Sequence, residues 1–246
     1  MPVFFIEPDA IQDDCVAIIG PLAHHLIESL RVKPGEELWL AQSGGPRYRT
    51  RVLSAGPGRL TAAILFRSEH PSVSSPHITL GLALVKKEHM DWAIQKATEL
   101  GVARLVPLIT RRTVVKVRAE RISNRRLRWE AIAREAAQQS MRWEMPEVIE
   151  PQSFEIWCEK ERQASCRLLL WENPQGRLLR ESLRGKASPS TLAVAIGPEG
   201  GFDAEEVSRA QQNGFETVSL GSRILRTEGA VLATLAIIQY EWGGLG

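Results

Sequence analysis

The sequence contains few cysteines and no long apolar run. No apolar stretch approaches the ~20 residues of a membrane-spanning helix, and acidic Glu7 and Asp9 follow only a short apolar start, unlike a signal peptide. Cys15, Cys158 and Cys166 are odd in number and have no metal-ligand spacing, which suits a reducing cytoplasm. We therefore expect a cytoplasmic protein without membrane contact or bound metal, whose cysteines are packing residues.

Common nucleotide-binding fingerprints are also absent. No Gly-x-Gly-x-x-Gly opens a helix, and no Gly-x-x-x-x-Gly-Lys-Ser/Thr is present. A ligand held by its phosphates is therefore not implied. His24 and His25 are adjacent, but no carboxylate or cysteine completes a metal-ligand set around them.

The chain of 246 residues is long enough for one large or two modest domains. Its net charge of +2 is unevenly spread, because residues 104–142 hold eleven Lys or Arg against three Glu. A charge run is usually a solvated face. This density, with Trp129 and Trp143 nearby, instead favours contact with a phosphate backbone, so nucleic acid is a candidate partner.

Residues 1 to about 70 are predicted to be β-rich, with a short helix from His24 to Leu30. Arginines on a predicted hairpin (Arg47, Arg49 and Arg51) are candidates to face RNA, with surface solvation as the alternative for each. The Pro- and Ser-rich stretch from His70 to Pro76 is the best domain boundary. The predicted strands of this region are Val3 to Ile6, Glu37 to Leu40, Tyr48 to Leu53 and Leu60 to Leu65.

Strands and helices alternate after this boundary, which predicts an α/β domain with a parallel sheet. Its predicted strands are Ile78 to Val85, Val102 to Leu108, Arg167 to Trp171, Leu192 to Ile196 and Phe215 to Leu220. Helices are predicted from Met90 to Leu100, with Met90, Ala93, Ile94 and Ala97 inward, and from Arg121 to Ser140.

Two glycine-containing loops follow the last two strands. Ile196 to Phe202 contains three glycines and a proline, and a capping box of Asp203 and Glu206 then starts a helix that Gly214 ends. Gly221 opens the second loop. Thr227 is the predicted cap of the last helix, which runs to about Tyr240 with Val231, Leu232, Leu235 and Ile238 on one face. Neighbouring loops at the carboxyl edge of a parallel sheet form ligand sites, although a plain turn is the alternative for either loop alone.

The ordered motifs of the chain resemble the bacterial 16S ribosomal RNA uridine-N3 methyltransferase family, within the SPOUT class of S-adenosylmethionine-dependent RNA methyltransferases. The likeness covers nearly the whole length. The motifs that carry it are His24-His25-Leu26, Leu30-Arg31, Gly35, Gln95 to Val102, Gln139, Arg142 before Pro146, Ile196 to Gly201, Leu220-Gly221 and Arg223 to Glu228.

The resemblance implies a SPOUT-type parallel sheet with a deep trefoil knot in residues 72–246, and a PUA-like β-barrel in residues 1–71 that helps to hold RNA. It also implies a homodimer built on the carboxyl-terminal domain, with S-adenosylmethionine as cofactor and 16S rRNA or the small ribosomal subunit as partner. The expected cofactor-binding residues are Leu170, Glu172, Ile196, Gly197, Glu199, Gly200, Gly201, Leu220, Gly221, Ile224, Leu225 and Thr227.

Methylation of uridine N3 requires that N3 loses its proton. We hypothesise that Arg226 stabilises the resulting anion, because it lies in the second loop beside the predicted helix start. The alternative is that Arg226 pairs with Glu228 or Glu199 and only braces the loop. Glu199 and Glu228 are weaker catalytic candidates.

The expected contacts to RNA phosphates are Arg31, Arg112 and Arg142. The chain departs from the family pattern at Gly229, where Thr is expected, at Gln138, where Glu is usual, at Met141, a common glycine, and at Ser43-Gly44, commonly Asp-Gly. Two alternatives to the uridine reaction stay open. One is the same fold and cofactor with another base or a ribose 2′-hydroxyl as target. The other is a non-catalytic RNA-binding assembly factor, against which the intact loop motifs argue.

Overall fold

A computed structural model describes residues 2–71, 76–115, 122–173 and 176–242. The chain divides into two compact units. The first comprises Met1–Ser72 and Ala137–Met145, and the second comprises Val73–Ala136 and Pro146–Gly246. Nothing in the sequence indicated that the segment Ala137–Met145 belongs to the first unit. Residues 72–75 of the predicted boundary lie outside the described residues, and the division into 1–71 and 72–246 stays a prediction.

The first unit contains one six-stranded sheet in the order β1-β4-β5-β6-β3-β2. Its strands are β1 (Val3–Phe5), β2 (Ile11–Gln12), β3 (Cys15–Ile19), β4 (Glu37–Ala41), β5 (Arg47–Gly56) and β6 (Arg59–Ser68). Among the described strands of this sheet, β1 and β4 pair in parallel and the other neighbours are antiparallel. The four predicted strands are confirmed, whereas β2 and β3 were missed. The predicted short helix begins earlier, as α1 (Gly20–His24), and continues as a wider turn over His25–Ser29.

The segment Ala137–Met145 packs on the sheet through Ala137, which joins Val3, Phe5 and Ala41 in a buried cluster. The guanidinium of Arg47 lies 3.8 Å from the ring centroid of Trp143 and donates to the carbonyl of Met141. Arg47 is only 8% exposed. The interpretation that it faces RNA is therefore wrong, because the segment covers its side chain.

The second unit contains an all-parallel sheet in the order β10-β8-β7-β13-β11-β14-β12, with β9 also paired to β8. Its strands are β7 (His77–Ala83), β8 (Arg104–Ile109), β9 (Glu147–Val148), β10 (Gln152–Ser153), β11 (Cys166–Leu170), β12 (Arg177–Leu178), β13 (Thr191–Ile196) and β14 (Glu216–Ser219). The predicted parallel α/β domain is confirmed. The short strands β9, β10 and β12 were missed.

Both faces of this sheet are covered, as the continuous apolar run of β13 predicted. Leu192, Val194 and Ile196 point into one hydrophobic core, and Ala193 and Ala195 point into the other. The second unit therefore has three layers, with helices on both faces of the sheet. Its helices are α2 (Lys87–Glu99), α3 (Ile122–Gln139, which ends in the first unit), α4 (Phe154–Lys160), α5 (Leu179–Leu183), α6 (Ala204–Gln212) and α7 (Thr227–Glu241).

The helix predictions are largely confirmed. The four predicted inward residues of α2 are all buried. The predicted start of α3 at Arg121 lies outside the described residues, and Trp129 is 4% exposed in the hydrophobic core, so it is not available to RNA as the sequence suggested. The helices α4 and α5 were missed. In α7, Leu232 is 38% exposed, contrary to its predicted place on the buried face.

The helix boundaries near the glycine loops follow local chemistry. Asp203 caps α6, with Oδ1 accepting from the amide of Glu205 at 2.9 Å, while Glu206 Oε2 accepts from the amide of Asp203 at 3.0 Å. The predicted capping box is confirmed, and Gly214 follows the helix with φ +81°. Thr227 is the first residue of α7 instead of its cap, because Arg226 holds the extended cap conformation.

The cysteines differ in burial. Cys158 is fully buried, and Cys166 is partly buried against the hydrophobic core. Cys15 is exposed, so its predicted packing role is wrong.

Candidate functional site

A cavity of about 200 Å³ lies at the carboxyl ends of β11, β13 and β14. Three of the chain segments that form its wall follow these strands, one after each. The predicted cofactor-binding residues that line it are Leu170, Glu172, Ile196, Gly197, Glu199, Gly200, Gly201, Leu220, Gly221, Leu225 and Thr227. Ile224 is not among the lining residues and is 78% exposed to solvent.

The two glycine-containing loops are joined to each other. The hydroxyl of Thr227 donates to the carbonyl of Gly197 at 3.0 Å. Within the first loop, the amide of Gly201 donates to the carbonyl of Pro198 at 2.8 Å and closes a tight turn in which Gly201 has φ +66°. A side chain at Gly201 would be strained by this φ. These contacts set the separation of two walls of the cavity.

A fourth segment reaches the cavity from β8. Arg112 Nη1 donates to the carbonyl of Gly200 at 2.7 Å, and Arg112 lines the cavity. The sequence predicted this residue as an RNA phosphate contact and gave no reason to place it beside the glycine loop, which lies 88 residues later.

Sequence reasoning also missed several lining residues. These are Trp171, Pro198, Phe202, Val218, Ser219, Arg223 and Ala230. Most of them are neighbours of predicted residues in the same three segments, so the position of each segment after a strand was the available signal.

The three catalytic candidates are placed differently. Glu199 lines the cavity, whereas Arg226 and Glu228 are not among the lining residues. Arg226 is exposed at the start of α7, and within the described ranges it forms no ion pair with Glu199 or Glu228. The carboxylate of Glu228 lies 2.9 Å from Nδ1 of His89, a residue of α2 that the sequence did not single out.

The other two predicted RNA contacts lie in the first unit. Arg31 is exposed, with an unusual φ of +55°. Arg142 is partly buried, and burial lowers the pKa of its guanidinium to about 10, against the opposing effect of Glu144.

Part of the positive charge of residues 104–142 is neutralised locally. The ion pairs are Arg104 with Glu161, Arg111 with Glu205, Arg126 with Glu130 and Arg128 with Asp91. Among the residues that the structure describes, no group of three or more metal-ligating side chains occurs, and no helix is both long and apolar enough to cross a membrane.

The cavity combines surfaces suited to a ligand with apolar and polar parts. Leu170, Leu220, Leu225 and Ala230 supply apolar walls, and Gly221 has open space where a Cβ would project. Glu172, Ser219, Thr227 and Arg112 supply polar groups. A site that offers both apolar walls and polar groups can hold a cofactor that has both kinds of surface.

The sheet and the cavity lie within a region of the chain that matches a known protein family. The model of the RNA methyltransferase domain family matches residues 73–239, and the chain belongs to this family. Curated relatives are named ribosomal RNA small subunit methyltransferase E. The protein from Bacillus subtilis is 30% identical, and the alignment covers 98% of this chain and 97% of the relative. The protein from Synechocystis is 32% identical, and the alignment covers 95% of this chain and 75% of the relative.

Solved structures agree with this assignment. One of them is the ribosomal RNA small subunit methyltransferase E from Neisseria gonorrhoeae, bound to S-adenosylmethionine. Its superposition on this chain covers 100% of both chains, with a TM-score of 0.89 and 30% sequence identity. Another is a methyltransferase from Legionella pneumophila, also in complex with S-adenosylmethionine. Its superposition covers 99% of this chain and 98% of the Legionella chain, with a TM-score of 0.90 and 28% sequence identity.

Proposed function

We propose that this chain methylates N3 of a uridine in 16S rRNA, with S-adenosylmethionine as the methyl donor. The observation that carries the proposal is the cavity after β11, β13 and β14, whose wall contains eleven of the twelve residues expected to bind this cofactor. Similarity over the full length to a structure bound to S-adenosylmethionine supports the same assignment.

The cofactor supplies an activated methyl group, so the protein's task is to hold and align the acceptor. Orientation of two reactants is worth up to ~7–11 kcal/mol of the barrier. The hydrogen bond between Thr227 and Gly197 joins two segments of the cavity wall and holds them together. Such preorganisation leaves little rearrangement to the reaction itself.

The acceptor nitrogen carries a proton in neutral uridine, and it cannot be methylated while the base is paired. The base must therefore be unpaired or flipped out, which costs a few kcal/mol if it is stacked. A guanidinium near the base favours the deprotonated form electrostatically. We assign this role to Arg226, which is exposed directly before α7 and is therefore accessible to RNA. Glu199 and Glu228 are the secondary candidates.

The proposal includes the expected architecture. The carboxyl-terminal domain forms a deep trefoil knot, as its resemblance to SPOUT methyltransferases implies. The six-stranded sheet of the first unit is a PUA-like barrel that holds RNA, with Arg31 and Arg142 as phosphate contacts. The enzyme works in the cytoplasm on 16S rRNA or the small subunit.

A homodimer built on the carboxyl-terminal domain is also part of the proposal. The helix α7 supports it, because Leu232 is 38% and Tyr240 74% exposed on a helix that is apolar on most of its surface. Molar mass by light scattering tests this point: a monomer at micromolar concentration contradicts it.

Mass spectrometry of nucleosides from 16S rRNA tests the reaction. The rRNA is taken from a strain lacking this protein, before and after the gene is returned. We expect 3-methyluridine to be absent from the rRNA of the strain that lacks the protein, and to be present again after the gene is returned. If 3-methyluridine is unchanged, calorimetry with S-adenosylmethionine separates the alternatives: binding indicates another RNA target, and no binding indicates a non-catalytic RNA-binding factor.

A further inference from the structure

The segment after β8 is fixed by its own side chains. The amide of Thr110 donates to the hydroxyl of Thr113 at 3.0 Å, and the amide of Thr113 donates to the carbonyl of Thr110 at 3.1 Å. These bonds close a turn around Arg111 and Arg112. The backbone position of the two arginines is therefore defined within the segment.

A buried carboxylate ties this turn to the start of α6. Glu206 is 1% exposed, and its two oxygens accept from different elements: Oε1 from the amide of Arg111 at 2.9 Å, and Oε2 from the amide of Asp203 at 3.0 Å. A buried carboxylate is tolerated only when its oxygens are hydrogen-bonded. Glu206 thus satisfies a helix capping box and anchors a segment 95 residues away with the same group.

The two arginines of the turn point to different surroundings. The guanidinium of Arg111 is paired with Glu205 at 2.5 Å and Asp203 at 3.4 Å. Arg112 instead reaches the cavity and donates to the carbonyl of Gly200, where a Cβ would lie 3.5 Å from the stem of Arg112. The stem of Arg112 therefore lies at van der Waals distance along the loop at Gly200.

The hydrogen bond to Gly200 uses one of the N–H donors of the Arg112 guanidinium. A guanidinium has five N–H donors, and a peptide carbonyl does not compensate its charge. Within the described part of the chain, no carboxylate lies at ion-pair distance from Arg112. A cation held on a cavity wall in this way suits a ligand with an anionic group, and S-adenosylmethionine carries one, the carboxylate of its methionine part.

We propose that Arg112 is a cofactor-binding residue that closes the cavity over the carboxylate of S-adenosylmethionine, and that Glu206 is the positioning residue that holds it there. This inference rests on the proposed cofactor and replaces the sequence-based role of Arg112 as an RNA phosphate contact. Arg111 takes no part, because its charge is satisfied by Asp203 and Glu205.

Calorimetric titration of the RNA-free protein with S-adenosylmethionine tests the proposal. We expect Arg112→Ala to weaken binding by about tenfold, the loss of one charge-assisted hydrogen bond. Arg112→Lys should bind with intermediate affinity, since it keeps the charge but loses the fork of donors. The matched control is Arg111→Ala, which removes the same charge from the adjacent residue and should leave the affinity unchanged.

Glu206→Gln tests the positioning role. An amide group places a donor against the Arg111 or Asp203 amide, so we expect the segment to loosen and cofactor affinity to fall. In the Arg112→Ala background the same change should add no further loss, because the residue that it positions is gone. An additional loss of the same size in that background contradicts the positioning role. If Glu206→Gln does not fold, Glu206→Asp, which keeps the charge but shortens the reach, takes its place.

Binding of the protein to 16S rRNA without cofactor tests the alternative, in which Arg112 contacts an RNA phosphate. Removing a phosphate contact reduces the slope of log affinity against log salt by about one unit. We expect the slope of Arg112→Ala to equal that of the wild type. A reduced slope with unchanged cofactor affinity overturns the proposal and makes Arg112 a phosphate contact. If the wild-type protein itself binds no S-adenosylmethionine, it is the proposed function that fails.

Discussion

The hydroxyl of Thr227 donates a 3.0 Å hydrogen bond to the carbonyl oxygen of Gly197. This bond joins the start of α7 to the loop after β13, across 30 residues of sequence. Both residues line the cavity, so the bond fixes the distance between two of its walls.

Replacing Thr227 with Val removes the donor while keeping the shape of a side chain that is only 3% exposed. An unsatisfied carbonyl and a loosened wall should weaken binding of S-adenosylmethionine by about five- to tenfold, in line with ~1 kcal/mol for one hydrogen bond. Thr227→Ser keeps the hydroxyl and serves as the control. Equal cofactor affinities for the Val variant and the wild type would show that the bond does not shape the cavity.

Arg226→Ala should separate cofactor binding from turnover. Arg226 is exposed and is not a lining residue, so we expect the affinity for S-adenosylmethionine to be kept. Loss of electrostatic stabilisation of the uridine anion should lower the single-turnover rate by about 10²–10³-fold. Arg223→Ala, at a cavity-lining position, is the comparison and should affect cofactor binding instead. If the only effect of Arg226→Ala is a loss of cofactor binding, the catalytic role of Arg226 is wrong.

Glu228→Gln distinguishes a proton acceptor from a structural residue. A general base contributes about 10²–10⁴-fold to the rate. The carboxylate of Glu228 is already engaged with Nδ1 of His89, and an amide oxygen accepts the same hydrogen bond. We therefore expect the methylation rate of Glu228→Gln to fall by far less than a hundredfold, with a lower melting temperature for Glu228→Ala. A hundredfold loss in the Gln variant would identify Glu228 as the base.

Met141 occupies a left-handed backbone conformation, with φ +57°, at a position where the resembled family commonly has glycine. This conformation costs a residue with a Cβ about 1–2 kcal/mol, and glycine adopts it without the clash. Met141→Gly should therefore raise the free energy of unfolding in urea by about 1 kcal/mol. The control is Met141→Ala, which removes the same side chain but keeps the Cβ. A gain of equal size in both variants would assign the effect to the side chain instead.

The three thiols should differ in reactivity with pH. Burial raises the pKa of Cys158 to about 12 and also raises the pKa of Cys166, mainly by desolvating the thiolate. A raised pKa leaves these two groups protonated and unreactive at pH 8, whereas Cys15 is exposed. Titration with a thiol reagent at pH 8 should therefore detect one fast thiol in the native protein and three after unfolding. Cys15→Ser should abolish the fast phase; its persistence would mean that a buried thiol is accessible.

Local sequence determined the start of α6 and the two faces of β13. Asp203 and Glu206 form a capping box because the two side chains need only reach backbone amides within three residues. The apolar run of β13 required cover on both faces, and the period of two then divided its residues between two cores. The order of the strands followed by glycine loops was enough to predict a ligand site at the carboxyl edge of the sheet.

Only the tertiary structure decided contacts between residues that lie far apart in the sequence. No periodicity relates Arg112 to Gly200 or His89 to Glu228, because these pairs meet only after parallel strands bring their ends to one edge. The burial of Trp129 and of Arg47 depends likewise on what packs over each side chain. The charge of a residue is local, but whether that charge faces RNA, a cofactor or a buried ring is set by the neighbours that folding supplies.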